Sequence, residues 1–585
     1  MSWAARARYF WLGLAAASLG GSLVFLGLVL VQALDAPSGA VAAAPGDPAP
    51  LAQPDGHLVR FSGVLPPALE GTGLLVATAN AAPDLSFAPG EVPGGVAVIS
   101  RYLVPVAPLS AGIDSLTSAQ LAALLAPGGL ATWESAGGIG GRPAGLALAG
   151  DAPAIAAIEA LGGAGSAVTV PTYDDLFALL AKPGAGYLAF VPLAELRPPG
   201  VALAIDGVDL ARGTGDPGEW PFAERISVVP HTAAGTDALP AVTARLAAPL
   251  PRVTRVVATG DILQSRCTLA KIKATGDWAA ALRGPVGEYL AGADLALGSL
   301  DGSIQDVNPP YLCVPGTNLS SPPEVMAALS LAGFDGMTVA TNHVFDCGIE
   351  YCGSRAFLQT LDRLRAAGIQ TVGGGRDLAA AMAPAIFEVN GVRFGVLGFD
   401  DVAAMDLGAT ASAPGTAPLD DDYGEERAAG EPAFYRPASE LGVERLTSAI
   451  RLLKARVDVV IVQVQSGTED THLPTARSIK ALRAAADAGA DLVVGNQAHW
   501  VQAAEARGPS FIAYALGNFV FDQTHTPEHT QGYLLEATFH GSRLATVRML
   551  PYQIEERYRP VFAAGALRSK IIGDVVTASQ ELPIK

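Results

Sequence analysis

The sequence is poor in cysteine, in histidine and in charge. Four cysteines in 585 residues exclude a small disulfide scaffold but leave room for two bridges. Charged residues make up only 16% of the chain, and basic ones are the scarcer kind. There are 38 Lys and Arg against 56 Asp and Glu, a net charge of −18. Nucleic-acid affinity rests on neutralising phosphates, so this balance excludes a general nucleic-acid binder and any large surface for gripping a polyanion. Between residues 57 and 250 the only histidines are His57 and His231, far apart, and no catalytic cluster appears there. Apolar residues are abundant. Half the chain is hydrophobic, which excludes wholesale disorder and permits a sizeable core. The 66 Gly and 43 Pro predict many loops and linkers. The length is enough for three or four domains at roughly 100–200 residues each.

Arg6 and Arg8 precede an uncharged run over residues 9–34. At 1.5 Å per residue this is about 39 Å of helix, enough to cross a hydrocarbon core of roughly 30 Å with tilt. Residues 1–34 therefore read as a signal-anchor transmembrane helix. The flanking charge, Arg before and Asp35 after, places the N-terminus in the cytoplasm and the rest of the chain outside it. A cleaved signal peptide is the competing reading, although its apolar region would normally be shorter. Residues 35–56 are Ala, Pro, Gly and Asp with little else, and read as a flexible linker.

Residues 57–250 alternate short apolar runs with Gly and Pro. Strands are predicted over 73–77, 96–100 and 186–191, and helices over 118–125, 153–161 and 173–180, the pattern of an α/β domain. Val104-Pro-Val-Ala-Pro-Leu-Ser, Leu116-Thr-Ser-Ala-Gln-Leu and Ala131-Thr-Trp-Glu, with the later Gly184-Ala-Gly-Tyr-Leu-Ala-Phe-Val-Pro-Leu, resemble phosphate-type periplasmic substrate-binding proteins. That resemblance implies a small-solute site, and its alternative is an α/β domain that binds nothing.

Residues 251–585 carry the strongest functional signal. Apolar strands predicted over 255–261, 293–301, 336–343, 457–465 and 490–499 each end in Asp, His, Asn or Gln. Helices are predicted over 322–332, 353–367, 439–455 and 475–488, which implies a mainly parallel sheet with covered faces. Polar groups at the C-terminal ends of such strands converge on one crevice. Two stretches over 532–539 and 544–551 read as antiparallel strands closing the second half. His525 and His529 are four apart, but Pro527 between them argues for a loop rather than a shared helical face.

The ordered motifs of this part resemble the capsule-synthesis (poly-γ-glutamate) CapA family, whose fold looks like a metallophosphoesterase. They are Gly260-Asp261, Ser299-Leu300-Asp301, Ala340-Thr341-Asn342-His343 with Asp346 and Gly348, Gln465-Ser466-Gly467-Thr468-Glu469, Gly495-Asn496-Gln497-Ala498-His499 and Tyr514-Ala515-Leu516-Gly517-Asn518-Phe519. The resemblance implies an α/β sandwich over 251–585 and a site with Asp261, Asp301, Asn342, His499, Gln465 and Gln497 as metal ligands. His343 and Glu469 would act as catalytic acid or base. Leu263, Gln465 and Gln497 stand where histidines are expected, so the site would hold one divalent ion (Mg, Mn, Ca or Zn) or none.

The functional expectation is a membrane-anchored, extracytoplasmic CapA-like protein of capsule or exopolymer biosynthesis. It would act as a metal-dependent hydrolase or as a non-catalytic scaffold or solute-binding protein. Its partners would be the cytoplasmic membrane, an envelope polymer or precursor and other capsule-synthesis proteins, with no nucleic acid. Cysteines outside the cytoplasm favour bridges, and the expected pairs are Cys267–Cys313 and Cys347–Cys352.

Overall fold

The computed structural model describes residues 59–72, 74–77, 82–163, 167–182, 184, 186–306, 313, 319–347, 353–402, 407–419 and 440–583. The expected anchor and linker lie outside the described residues. Among those residues, no helix is long and apolar enough to cross a membrane. The chain forms two compact units, Met1–Phe87 with Pro230–Val242, and Ala88–Val229 with Thr243–Lys585. In the first, the strand Arg60–Ser62 runs parallel to Leu75–Val76, and Phe61 stands opposite Leu85. Asp84 accepts the Arg60 N–H at 2.9 Å and the Thr232 hydroxyl at 2.7 Å.

The second unit begins with an α/β layer. The strand Val96–Pro108 pairs antiparallel with Tyr187–Pro192 and Gly200–Ala202, and Ala144–Leu148 runs parallel to both Tyr187–Pro192 and Val168–Val170. The helix Ser118–Leu125 starts at a capping box between Thr117 and Gln120, and Tyr173–Leu180 starts at a Thr172 cap. These caps satisfy backbone N–H groups that the first turn leaves free, and both helices coincide with the sequence prediction.

The rest of this unit is a sandwich of two mixed sheets. In the first, Val253–Ile262 pairs parallel with Leu295–Leu300, which continues through Gly336–Thr338 to Gln370–Val372. On its other side Val253–Ile262 pairs antiparallel with Gln531–His540, followed by Arg543–Glu555 and Arg559–Phe562. In the second sheet, Val392–Asp400, Val459–Gln465, Leu492–Asn496 and Ser510–Ala513 are parallel, and Ala385–Val389 and Ala504–Arg507 flank them antiparallel.

Side chains alternate across each strand. Val256 and Ala258 join Val459, Ile461, Leu492 and Val494 in the core between the sheets. Val257 points the other way into a core with Leu269, Val286 and Phe357, and Val460, Val462 and Val493 pack with Leu446 and Leu482. This period of two, apolar on both faces, explains why the strands read as unbroken hydrophobic runs. The expectation of one mainly parallel sheet is corrected to two mixed ones. The closing strands belong to the first sheet because Val253–Ile262 offers them a free edge.

A disulfide joins Cys267 to Cys313, 46 positions apart. Cys347 is also disulfide-bonded, and its expected partner Cys352 lies outside the described residues.

The α/β layer and the sandwich share polar contacts along Gln531–His540 and Arg543–Glu555. The Ala202 N–H donates to Thr546 Oγ1 at 3.1 Å, and Arg548 meets Asp209 at 2.5 Å. Glu536 is fully buried and accepts from Arg212 and Arg255, each at 3.0 Å, and from the Tyr289 hydroxyl at 2.6 Å. Burial alone would raise the Glu536 pKa, but the two guanidinium charges and the Tyr289 hydrogen bond outweigh it and hold it low. A depressed carboxylate stabilises above its ordinary value of 4.5 and loses that contribution as pH falls through its folded value. Glu536→Ala, which strands two part-buried arginines, should cost about 3–5 kcal/mol in urea unfolding at pH 7. The deficit should narrow as the pH drops below 4.5. A cost under about 1 kcal/mol at pH 7 would contradict this account.

Candidate functional site

The parallel strands of both sheets finish at one rim, and each delivers a polar residue there. Val253–Ile262 carries Asp261, Leu295–Leu300 is followed by Asp301, and Gly336–Thr338 leads to Asn342 and His343. From the second sheet, Val459–Gln465 ends in Gln465 and leads to Glu469, and Leu492–Asn496 leads to Gln497 and His499. The strands approach closely at Gly260, where an added Cβ would lie 1.8 Å from the Gly517 carbonyl oxygen. Only glycine lets Asp261 sit beside Asn518, its partner in the register.

The two sheets meet through Asp261. Its Oδ1 accepts the Ser299 hydroxyl at 2.9 Å, and its Oδ2 accepts the Gln497 N–H at 3.3 Å. His499 Nδ1 is 3.7 Å from Asp261 Oδ2 and 2.9 Å from Asn518 Oδ1. His499 Nε2 is 4.0 Å from Glu469 Oε1, at the exposed mouth. Gln497 (φ 99) and His499 (φ 58) both adopt left-handed backbone. Such strain in non-glycine residues persists only where the surroundings hold it, as they do at many functional sites. Gln465 Nε2 donates to Gln497 Oε1 at 2.7 Å, so these two side chains bind each other.

The electrostatics are those of crowded, buried carboxylates. Burial, then the charge of Asp301, raises the Asp261 pKa to about 7, opposed by His499 and by hydrogen bonds from Ser299 and Gln497. Burial also raises that of Asp301, more than the nearby His343 charge can offset. Burial lowers the His343 pKa, but Asp301 and the Asp346 contact outweigh it and lift it to about 9. His343 Nδ1 is 2.8 Å from Asp346 Oδ2, which also accepts the Leu319 N–H.

Both Asp301 oxygens and Asn342 Oδ1 are buried without a well-formed hydrogen bond; the Thr341 hydroxyl, which donates to the Leu300 carbonyl, lies near enough to Asp301 to favour its charge slightly. Buried acceptors beside a second carboxylate are donors of the kind a divalent cation takes, although among the described residues no three carboxylate or imidazole groups at this rim bring their ligand atoms within 4.8 Å of one another. The structure thus gathers Asp261, Asp301, Asn342, His343, Gln465, Gln497, His499 and Glu469 around one rim. Glu469 stands apart in being half exposed, and the Gln465–Gln497 pair is already bonded to itself. Two contributors are hard to read from sequence. Ser299 looks like an ordinary strand residue, and Asn518 looks like a turn former yet accepts from the His499 ring. The one signal for Asn518 is its place in the closing Gly517-Asn518-Phe519 motif.

A carboxylate with a raised pKa contributes fully below its ordinary value of 3.8 and loses that contribution as pH rises through about 7. At pH 8 in chelator, both Asp261 and Asp301 therefore burden the fold. Asp301→Asn should stabilise the chelated protein in urea unfolding at pH 8 and abolish the extra stability that a divalent cation gives the wild type. A chelated variant less stable than wild type by about 1 kcal/mol or more would contradict this electrostatic picture.

Comparison with known proteins gives the site a context. Residues 255–523 match the family model described as bacterial capsule synthesis protein PGA_cap. The capsule biosynthesis protein CapA of Bacillus anthracis is 26% identical over 273 residues, covering 46% of this chain and 61% of that protein. The PGA biosynthesis protein CapA of Bacillus subtilis (strain 168) is 30% identical over 210 residues, covering 36% of this chain and 48% of that protein. The matches thus span between about half and three fifths of those relatives. Among solved structures, a hypothetical protein from Thermus thermophilus covers 52% of this chain and all of its own, at 13% identity and a TM-score of 0.31. An ABC-type phosphate transport receptor from Vibrio cholerae covers 28% of this chain and 73% of its own, at 12% identity and a TM-score of 0.21. Scores that low carry no argument. Over residues 255–523 the chain is similar to the CapA capsule-biosynthesis proteins and matches the model of the bacterial capsule-synthesis family.

Proposed function

We propose that the chain is an envelope protein of capsule or exopolymer biosynthesis, acting on a polymer of the poly-γ-glutamate type or its precursor by metal-assisted hydrolysis or transfer. It would be held at the cytoplasmic membrane by residues 1–34, with residues 57–250 binding a small solute outside the cytoplasm and 251–585 carrying the reaction. The single observation behind the chemistry is the pair of buried, mutually repelling carboxylates, Asp261 and Asp301, with His499 3.7 Å from the first. The Cys267–Cys313 disulfide supports an extracytoplasmic location, where such bonds persist.

A divalent cation held by Asp261, Asp301, Asn342 and His499 would supply Lewis-acid polarisation to an ester or amide. The protein's own groups would do the rest. His343, held through Nδ1 by Asp346, would leave Nε2 to hand a proton to the leaving group. Glu469, at the mouth beside His499, is placed to accept a proton from an attacking water. Ser299, Gln497 and Asn518 hold Asp261 and His499 in position.

The Gln465–Gln497 hydrogen bond favours a second reading, a scaffold that keeps the fold without turnover, because two ligand positions satisfy each other there. The two readings separate on one experiment. Full-length protein purified from membranes should contain a stoichiometric divalent metal and cleave poly-γ-glutamate or a phosphodiester, and His343→Gln should lower the rate about 100-fold while keeping the metal. Metal-free protein with no turnover, unchanged by Asp261→Ala with His343→Ala, would leave the scaffold reading.

A further inference from the structure

A second cluster lies beside this rim and uses different residues. Asp470, His525 and His529 each offer one ligand atom, and these atoms lie within 4.8 Å of one another. The turn Pro527–Thr530 folds the chain back so that the His525 and His529 rings stand 3.8 Å apart between centroids. Pro527 excludes a helix that would align the two histidines, but at the start of this turn it brings them together by another route. Asp470 has left-handed backbone (φ 62), and its N–H donates to the Ala498 carbonyl at 3.1 Å, which fixes it on the same side.

His529 decides the case. It is completely buried, and its backbone carbonyl accepts from Asn518 Nδ2 at 3.1 Å. Its Nδ1 accepts the Trp500 indole N–H at 3.3 Å and lies 2.9 Å from Thr526 Oγ1. Its Nε2 is buried and faces Asp470 Oδ1 at 2.7 Å. With Trp500 donating to Nδ1, the ring proton sits on Nε2 facing Asp470; an ion bound at Nε2 moves it to Nδ1, where the Thr526 hydroxyl at 2.9 Å can accept it in place of the long Trp500 contact.

We propose that Asp470, His525 and His529 form a site for a divalent transition-metal ion, held by two imidazoles and one carboxylate. Asp470 and His525 are exposed, so the remaining coordination positions open to solvent. Two imidazoles favour zinc-type ions over magnesium or calcium, whereas the Asp261–Asp301 rim is rich in oxygen. Asp470 directly follows Glu469, so an ion here also steadies the turn that carries Glu469. The proposal rests on this geometry and not on the function proposed above.

The test is zinc titration of metal-stripped, full-length protein in competition with a chromophoric chelator, followed by cobalt absorption spectra. In an Asp261→Asn, Asp301→Asn background, one equivalent of zinc should still bind. His525→Ala or Asp470→Asn should weaken it about 100-fold and remove the cobalt spectrum. In the wild type, His525→Ala should remove one equivalent, so the test does not depend on that background folding. No zinc bound by folded wild-type protein, or affinities within about threefold of wild type in both single variants, would overturn the proposal.

Discussion

Two carboxylates share a dry rim with too few partners, and much of the sandwich is arranged around that fact. Asp261 receives two hydrogen bonds, from Ser299 and from the Gln497 backbone, while Asp301 has only a marginal contact with the Thr341 hydroxyl. Like charges in a low-dielectric setting raise one another's pKa, and a protein that keeps both needs something to offset the cost. His343 and His499 supply part of it, one beside each carboxylate. A bound cation is the remaining counter-charge that the buried oxygens call for.

The backbone around the rim is shaped to the same end. Gly260 lets the strand carrying Asp261 touch the turn at Gly517, and the left-handed residues Gln497 and His499 turn a strand end from the second sheet toward the first. Two sheets can therefore build one site, although their strands are far apart in the chain. The inner core of valine, isoleucine and leucine keeps the sheets in register behind it. The Glu536 cluster ties the opposite part of the first sheet to the preceding α/β layer, so the sandwich does not stand alone in this unit.

Much of this was legible in the sequence where the signal is local. The helices Ser118–Leu125 and Tyr173–Leu180 announce themselves by their threonine caps, and the strands by apolar runs ending in polar residues. The rim residues were legible as a set because parallel strands must finish on one side. The division into two sheets was implied by the family resemblance but not legible in the strand pattern itself, since strands buried on both faces look alike whichever sheet they join. Nor was the Glu536 cluster, whose partners Arg212, Arg255 and Tyr289 come from three separate segments. Asn518 and Asp470 escaped because a turn asparagine and a loop aspartate have ordinary roles, and only tertiary contact shows one meeting His499 and the other His529.

The central claim is that the buried carboxylates at the rim exist to hold a cation. Anomalous diffraction from crystals of the protein grown with Mn²⁺ tests it most directly. The account predicts a peak within about 2.0–2.6 Å of oxygens from both Asp261 and Asp301, with Asn342 or His499 also coordinating. No peak at that rim, with the Asp301 oxygens hydrogen-bonded to ordered water instead, would contradict it.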